Sequence, residues 1–287
     1  MRHLAEHQKG IVAVLAAALL WSTGGIFIKL VTFDAMQISF FRGLFAAIVF
    51  VIIFKKEIFY ANGFTFINAV LYSAILILFV LATKMTTAAN AIFLQYTAPI
   101  YVLIFEPLIN KTKYEKINII TITVCFFGMI MFFLSKLSPG FKEGNIIALL
   151  SGVAYAAFLL GMRKNKKEYQ FSSIFYGNII VSLICLPYIF NLTNINVPNI
   201  LMVSYLGVFQ IGIAYAVFSY GLRRVYAIEA SLISMIEPVL NPVWVFLGYG
   251  EIPSITAIIG GIIIISAISI RTFILEAPIM KARLRRN

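Results

Sequence analysis

The stretch AIEASLISMIEPVLNPVWVFLGYG, from Ala227 to Gly250, decides the fold of this chain. It can cross a bilayer, because about 20 mostly apolar residues suffice for a transmembrane helix. Glu237 lies roughly ten residues into it, near the membrane midplane, where a carboxylate costs on the order of 2.5–3.5 kcal/mol. Pro238 cannot donate a hydrogen bond to the carbonyl of Ser234, and such a carbonyl is tolerated only beside protein or a wet cavity. The sequence therefore predicts a polar site on a broken helix in mid-membrane.

The composition is that of a polytopic membrane protein. Hydrophobic residues make up 61% and charged residues 12% of the 287 residues, whereas soluble domains are about 45–50% apolar and about 25% charged. Cys125 and Cys185 lie in apolar runs, and the histidines, His3 and His7, lie in the N-terminal tail. We therefore expect no disulfide framework, no metal site, no cofactor and no nucleophile–base pair in the membrane.

Ten apolar segments can be drawn along the chain, with Arg2 and Lys9 before the first. A signal peptide would have a shorter apolar core and a cleavage site, so we interpret the first segment as a retained helix. The segments cover approximately residues 10–30, 35–54, 64–83, 88–109, 117–135, 144–162, 172–190, 199–222, 227–249 and 254–273.

The net charge of +12 follows membrane topology rather than nucleic-acid binding. With the N-terminus in the cytoplasm, 18 of the 23 Lys and Arg residues lie on the cytoplasmic side. The opposite loops hold only Lys29, Lys84, Lys136 and Lys142, and Arg42 lies within a span. The positive-inside rule therefore predicts a protein of the cell membrane (inner or plasma membrane) with both termini in the cytoplasm.

An internal repeat relates the two halves of the chain. At an offset of 134 residues, Trp21 pairs with Tyr155 and Lys29 with Arg163. At an offset of 139, the pairs are Lys84 with Arg223, Asn90 with Glu229, Gln95 with Ser234, and Pro99 with Pro238. Because five spans separate the copies, they enter the membrane from opposite sides, as in many secondary transporters. The sequence thus predicts an all-α integral membrane fold of ten transmembrane helices in two inverted five-helix repeats, residues 1–138 and 139–287, the second ending in a basic cytoplasmic tail.

Three motifs resemble the EamA-type family of the drug/metabolite transporter superfamily. They are LLWSTGGIFIKL, YTAPIYV (Tyr96 to Val102) and ASLISMIEPVLNPVWVFLGYGE (Ala230 to Glu251). The resemblance covers essentially residues 10–273, and it implies two inverted five-helix repeats that carry small metabolites through a central cavity. It does not fix the substrate. In one departure, Lys111-Thr112-Lys113 stands where relatives often carry a glutamate like Glu251.

Five residues are candidate substrate ligands. Glu237 could bind a cationic group or a proton, or be a buried carboxyl hydrogen-bonded to a neighbouring helix. Trp21, Tyr155 and Tyr215 could form an aromatic box for an ammonium or a planar ring, or pack against neighbouring helices. Gln95 offers amide hydrogen bonds near the turn that precedes Pro99.

A second group of residues is assigned to gating or structure. Arg42 could neutralise an anionic group of the substrate, or pair with a helix-end carbonyl or an acidic residue. Glu106 and Glu229 could extend to interfacial Lys or Arg residues. The group comprises Arg42, Asn90, Pro99, Glu106, Glu229 and Pro238.

These features together predict a transporter that works by alternating access around a cavity walled by segments 1, 3, 4, 6, 8 and 9. No GxxxxGK[ST] loop is present in the sequence, so transport is secondary or facilitative. The predicted partners are a small-molecule substrate (an amino acid, amine or aromatic compound) and the bilayer; protons and a homodimer stay open, and nucleic acid is not expected. A non-transporting structural subunit is the alternative. A membrane-embedded enzyme would need clustered catalytic groups that the sequence lacks.

Overall fold

A computed structural model describes residues 2–110, 116–131, 141–165, 167–193, 195–222, 224–225, 230, 233–234 and 236–284. Within these residues the chain is helical and has no β-strand. Short 3-10 turns cover Lys55–Phe59, Lys167–Tyr169 and Leu186–Asn191, and Leu206–Ile213 is π-helical. The α-helices are α1 (Arg2–Ser22), α2 (Gly24–Leu30), α3 (Ala35–Phe54), α4 (Gly63–Met85), α5 (Ala88–Gln95), α6 (Ala98–Asn110), α7 (Lys116–Met131), α8 (Phe141–Lys164), α9 (Gln170–Cys185), α10 (Val197–Tyr205), α11 (Ala214–Leu222), α12 (Ile236–Tyr249) and α13 (Ile255–Leu284).

Seven helical stretches in the described part of the chain are long and apolar enough to cross a membrane. Two shorter apolar helices, Lys116–Met131 and Ile255–Arg271, accompany them. The protein is therefore a multi-span membrane protein. The seven stretches are Glu6–Leu30, Ala35–Phe59, Gly63–Met85, Ala88–Ile109, Phe141–Met162, Gln170–Asn191 and Val197–Leu222.

Local sequence fixes where the second and third spans begin. The Asp34 carboxylate accepts a hydrogen bond from the Gln37 backbone N–H at 2.8 Å, and the Gln37 side chain accepts one from the Asp34 N–H at 3.1 Å. Asn62 and Thr65 form the same reciprocal arrangement at the start of α4. Such capping boxes satisfy N–H groups that have no partner within the helix, so they mark helix starts.

Several spans are interrupted or irregular. The first span is divided at Thr23, between α1 and α2, and the fourth at Tyr96 and Thr97, between α5 and α6. Pro99 lies in the first turn of α6, where its missing N–H costs little. Pro238 lies in the first turn of α12, but residues 231–232 and 235 lie outside the described residues, so the helix break predicted there stays a prediction.

The helices pack as a bundle with two distinguishable ends. The α4 helix packs against α8 and α9, α3 against α9 and the π-helical segment, α1 against α11 and α12, and α7 against α13. At one end, the Asn62 amide donates to the Asn165 side chain at 3.0 Å. At the other, Lys29 contacts Glu251. We call these the Asn62 end and the Glu251 end.

Candidate functional site

A cavity of about 680 Å³ lies within the bundle, a volume typical of small-molecule sites. It extends from the middle of the first span, at Trp21, to Met162, Gln170 and Leu222 near the Asn62 end. Apolar side chains of α4, α8, α9 and α11 form much of its wall. Besides four phenylalanines, the aromatic and polar residues that face the cavity are Trp21, Arg42, Tyr72, Gln95, Tyr96, Tyr155, Gln170, Gln210, Tyr215, Ser219, Ser234 and Glu237.

The five residues predicted from the sequence as substrate ligands all line this one cavity. The sequence assigned the wall to segments 1, 3, 4, 6, 8 and 9, and each of these contributes. The assignment was incomplete, since Arg42 of α3 and Ile174 of α9 bring in the second and seventh segments.

An aromatic cluster forms one side of the cavity. Trp21 lies in the last turn of α1, with its ring 5.2 Å from that of Tyr215 in an edge-to-face arrangement and 5.0 Å from that of Phe218. Tyr215 also meets Tyr72 edge to face at 6.1 Å. Tyr155 lines the same cavity from α8. These rings could take up a cation or a planar ring of a ligand.

Glu237 places a half-buried carboxylate in the cavity wall. The Tyr96 hydroxyl donates a hydrogen bond to its Oε2 atom at 2.6 Å. Tyr96 is available for this contact because it lies in the interruption between α5 and α6. The hydrogen bond joins the fourth span to α12 and holds the carboxylate towards the cavity.

Gln95, the last residue of α5, is held by α8. Its Nε2 atom donates to the Ser151 hydroxyl at 2.7 Å, and it is 8% exposed. The neighbouring Gly152 lets α8 approach the interruption, because a Cβ there would meet the Leu94 carbonyl oxygen at 2.9 Å. Glycine at this position thus brings α8 close enough to support the broken turn.

Arg42 lies at the inner part of the cavity and is 3% exposed. Its Nε and Nη2 atoms donate to the Gln210 Oε1 atom at 3.1 and 2.7 Å. The Gln210 Nε2 atom in turn donates to the Trp21 carbonyl at 3.3 Å. The sequence suggested a helix-end carbonyl or an acidic residue as the partner of Arg42, but the observed partner is a neutral side-chain amide.

The other described residues that were predicted for gating or structure lie outside the cavity lining. The Asn90 amide donates to the Asn145 side chain at 3.0 Å near the Glu251 end. Glu106 lies on α6, and Pro99 and Pro238 lie in the first turns of α6 and α12. Glu229 lies outside the described residues.

A cluster of polar contacts joins the helices at the Glu251 end. Lys29 Nζ lies 2.7 Å from Glu251 Oε2, and these side chains are only 10% and 16% exposed. Lys29 also donates to the Thr86 carbonyl at 2.7 Å, and Glu251 Oε1 accepts the Ala88 N–H at 2.6 Å. We call Lys29, Thr86, Ala88 and Glu251 the Glu251 cluster. It ties together the first, third, fourth and ninth segments.

Sequence reasoning did not assign Tyr72, Tyr96, Gln210 or the Glu251 cluster to the site. Gln210 carried a usable signal, since it is an uncharged polar side chain in an otherwise apolar run between Gly207 and Gly212. Lys29 was interpreted as a topology charge and as the repeat counterpart of Arg163, without a partner at the Glu251 end.

Comparison with known proteins identifies the family. The model of the EamA-like transporter family matches residues 8–134 and 142–273. A protein of Archaeoglobus fulgidus, named an uncharacterized transporter, is 27% identical over 266 residues, covering 91% of this chain and 95% of the relative. The pseudopaline exporter CntI of Pseudomonas aeruginosa is 21% identical over 271 residues, covering 91% and 94%.

Two further similarities are to part of a human protein and to a solved structure. Human solute carrier family 35 member G1 is 27% identical over 187 residues, 58% of this chain and 51% of that protein. A crystal structure of another protein matches with a TM-score of 0.64 at 14% identity, covering 94% of this chain and 98% of the other, so the two share a fold. Since the family model matches nearly the whole length, the chain belongs to the EamA-like transporter family and is a membrane transporter rather than an enzyme.

Proposed function

We propose that this protein is a secondary or facilitative transporter that moves small metabolites with an amine or an aromatic ring by alternating access. One observation carries the proposal: Trp21, Gln95, Tyr155, Tyr215 and Glu237 converge on one cavity. Aromatic faces beside a single carboxylate suit an ammonium group or a ring. In this proposal Glu237 takes either the cationic group of the substrate or a coupling proton.

The alternating-access part of the proposal draws support from the helix contacts. In two inverted repeats, residues 1–138 and 139–287, spans 1–5 correspond to spans 6–10. The contact of α4 with α8 joins spans 3 and 6, and its counterpart, the contact of α11 with α1, joins spans 8 and 1. The contacts α3–α9 and α7–α13 join span 2 with span 7 and span 5 with span 10, which are corresponding spans. The two segments matched by the family model divide the chain at nearly the same point. Both observations favour two repeats that rock about the cavity.

The cavity and the Glu251 cluster indicate to which side of the membrane the transporter is open in this arrangement. The cavity reaches the Asn62 end, where Lys55, Lys56 and Lys164 also lie. The positive-inside rule makes this the cytoplasmic end, with both chain termini on that side. The Glu251 cluster would then close the opposite end, so the arrangement corresponds to an inward-facing transporter of the cell membrane.

Flux into proteoliposomes tests this function. The purified protein would be reconstituted and screened with labelled amino acids, amines, nucleobases and sugar phosphates, with protein-free liposomes as the baseline. We expect saturable flux of at least one compound that carries an amine or an aromatic ring. Flux of sugar phosphates alone, or of no compound above the baseline, would refute the proposal.

The two tryptophans of the chain provide a matched pair of variants. A cation over a desolvated indole gains about 2 kcal/mol, or about thirtyfold in affinity. Trp21→Ala should therefore weaken the apparent affinity for the transported compound at least tenfold, and Trp21→Phe should weaken it less. Trp244 is outside the cavity lining and donates from Nε1 to the Ser22 hydroxyl at 2.9 Å. Trp244→Phe should leave the affinity unchanged.

A further inference from the structure

Arg42 carries a positive charge that the described contacts leave only partly satisfied. A guanidinium has five N–H donors. Nε and Nη2 donate to Gln210 Oε1, whereas Nη1 is buried and has no hydrogen-bond partner among the described residues. Burying a charged donor without a partner is costly, so a ligand that completes its contacts gains affinity.

The neighbours of Arg42 hold its side chain in position without neutralising its charge. Gln210 is 4% exposed and is itself fixed by its donation to the Trp21 carbonyl. Glu237 is the one acidic residue among the described residues of the cavity lining, and the contacts described for it and for Arg42 include no ion pair between the two. The cavity therefore presents a cation and an anion at separate positions of its wall.

We infer that Arg42 is a specificity-determining residue that binds the single carboxylate of a zwitterionic substrate. This inference rests on the proposed function and narrows its substrate class. A carboxylate can accept hydrogen bonds from Nη1 and from the second hydrogen of Nη2, and it neutralises the charge that the Gln210 amide leaves. The ammonium group of the same molecule then faces Glu237 and the aromatic rings. A simple amine would leave Arg42 unsatisfied, and a multiply charged anion would meet only one cation among the described residues of the lining.

Three probe molecules separate the two charges of such a substrate. L-phenylalanine carries both, phenethylamine lacks the carboxylate, and 3-phenylpropanoate lacks the ammonium group. Binding would be titrated through the fluorescence of Trp21 in purified full-length protein carrying Trp244→Phe, which leaves Trp21 as the sole tryptophan. We expect L-phenylalanine to bind at least tenfold more tightly than phenethylamine, a difference of about 1.4 kcal/mol. It should also bind more tightly than 3-phenylpropanoate.

Variants of Arg42 and its partner test the role of the guanidinium. Arg42→Gln should reduce the preference for L-phenylalanine over phenethylamine to about onefold, because the carboxylate loses its partner. Gln210→Glu should do the same by giving Arg42 an internal carboxylate. Arg271→Gln is the matched control: Arg271 Nε also donates to a side-chain amide oxygen, that of Asn118 at 3.0 Å, but outside the cavity lining. This control should keep the preference.

The readout is a ratio of two affinities in one preparation, so partial loss of folded protein does not change it. Equal affinity for L-phenylalanine and phenethylamine before any change at Arg42, or an unchanged preference in Arg42→Gln, would overturn the inference and return Arg42 to a structural role. In either case the proposed function would survive if the flux screen finds a transported amine or aromatic compound. Failure of that screen would instead remove the proposed function itself.

Discussion

Replacing Glu251 by glutamine should shift the transporter towards the state in which the Glu251 end is open. The substitution removes the charge that pairs with Lys29 at 2.7 Å. Because both side chains are largely buried, Lys29 would keep a charge without an ionic partner in the closed arrangement. Opening would let that ammonium reach water. The variant therefore destabilises one state selectively, which is the condition for a population shift.

The size of the shift follows from the contacts that remain. Removing one partner of a buried ion pair costs on the order of 3–5 kcal/mol. The glutamine side chain still accepts the Ala88 N–H, and Lys29 still donates to the Thr86 carbonyl. We therefore expect a smaller cost, about 2 kcal/mol. At 1.4 kcal/mol per decade, this changes the ratio of the two states about thirtyfold.

A cysteine in the cavity can report that ratio. Ser234 lines the cavity, so Ser234→Cys can be labelled by a membrane-impermeant maleimide from whichever side the cavity faces. The native Cys125 and Cys185 are buried and should react slowly. Labelling rates would be measured in inside-out and right-side-out vesicles. Adding Glu251→Gln should change the ratio of the two rates about thirtyfold in favour of the non-cytoplasmic side.

The neighbouring carboxylate Glu143 supplies the control. It lies in the first turn of α8, near the Glu251 end, and is exposed. Glu143→Gln removes a charge from the same end and should leave the ratio of rates unchanged. The reasoning is refuted if Glu251→Gln behaves like this control, or if it shifts labelling towards the cytoplasmic side.

Two further predictions concern Glu237 and the topology. Glu237→Gln should sharply lower driven flux in proteoliposomes because it removes the cavity carboxylate, whereas Glu143→Gln, at an exposed position of α8 outside the lining, should not. Wild-type flux with unchanged pH dependence in Glu237→Gln would return Glu237 to a packing role. Exposed single cysteines at Lys56 and Lys164 should both react with an impermeant reagent from the cytoplasmic side alone, and labelling of the two from opposite sides would contradict the inverted-repeat arrangement.

Seven of the ten predicted spans are found in the described part of the chain, and they were readable from the sequence because apolar runs and their caps are local features. The predicted segment 35–54 coincides with α3, and 64–83 falls within α4. The π-helical turn at Leu206–Ile213 could not be predicted, since such turns depend on how neighbouring helices pack. Here Gly207 and Gly212 lie directly against α3, where added Cβ atoms would meet Phe45 and Val49.

The charged residues of the site could be predicted from the sequence because a charge in an apolar span is energetically costly. An isolated charge such as Glu237 or Arg42 in an apolar span is expensive and therefore conspicuous. Tyr96 is one of 14 tyrosines, and although it opens the YTAPIYV motif, nothing local indicates that it contacts Glu237. The pairing of Lys29 with Glu251 was equally hidden, because it joins residues from opposite halves of the chain.

The π-helical turn has a consequence for the whole eighth span. Gln210 and Tyr215 are five residues apart and both line the cavity, a spacing that matches a π turn, whereas Ile211, Tyr215, Phe218 and Leu222 follow the spacing of an α-helix. One surplus residue in the turn rotates everything after it by about 100° relative to an uninterrupted helix. The Gln210 amide that binds Arg42 and the aromatic cluster therefore lie on the same face of the eighth span because of the rotation that the π-helical turn gives to the backbone. No single side chain determines that rotation.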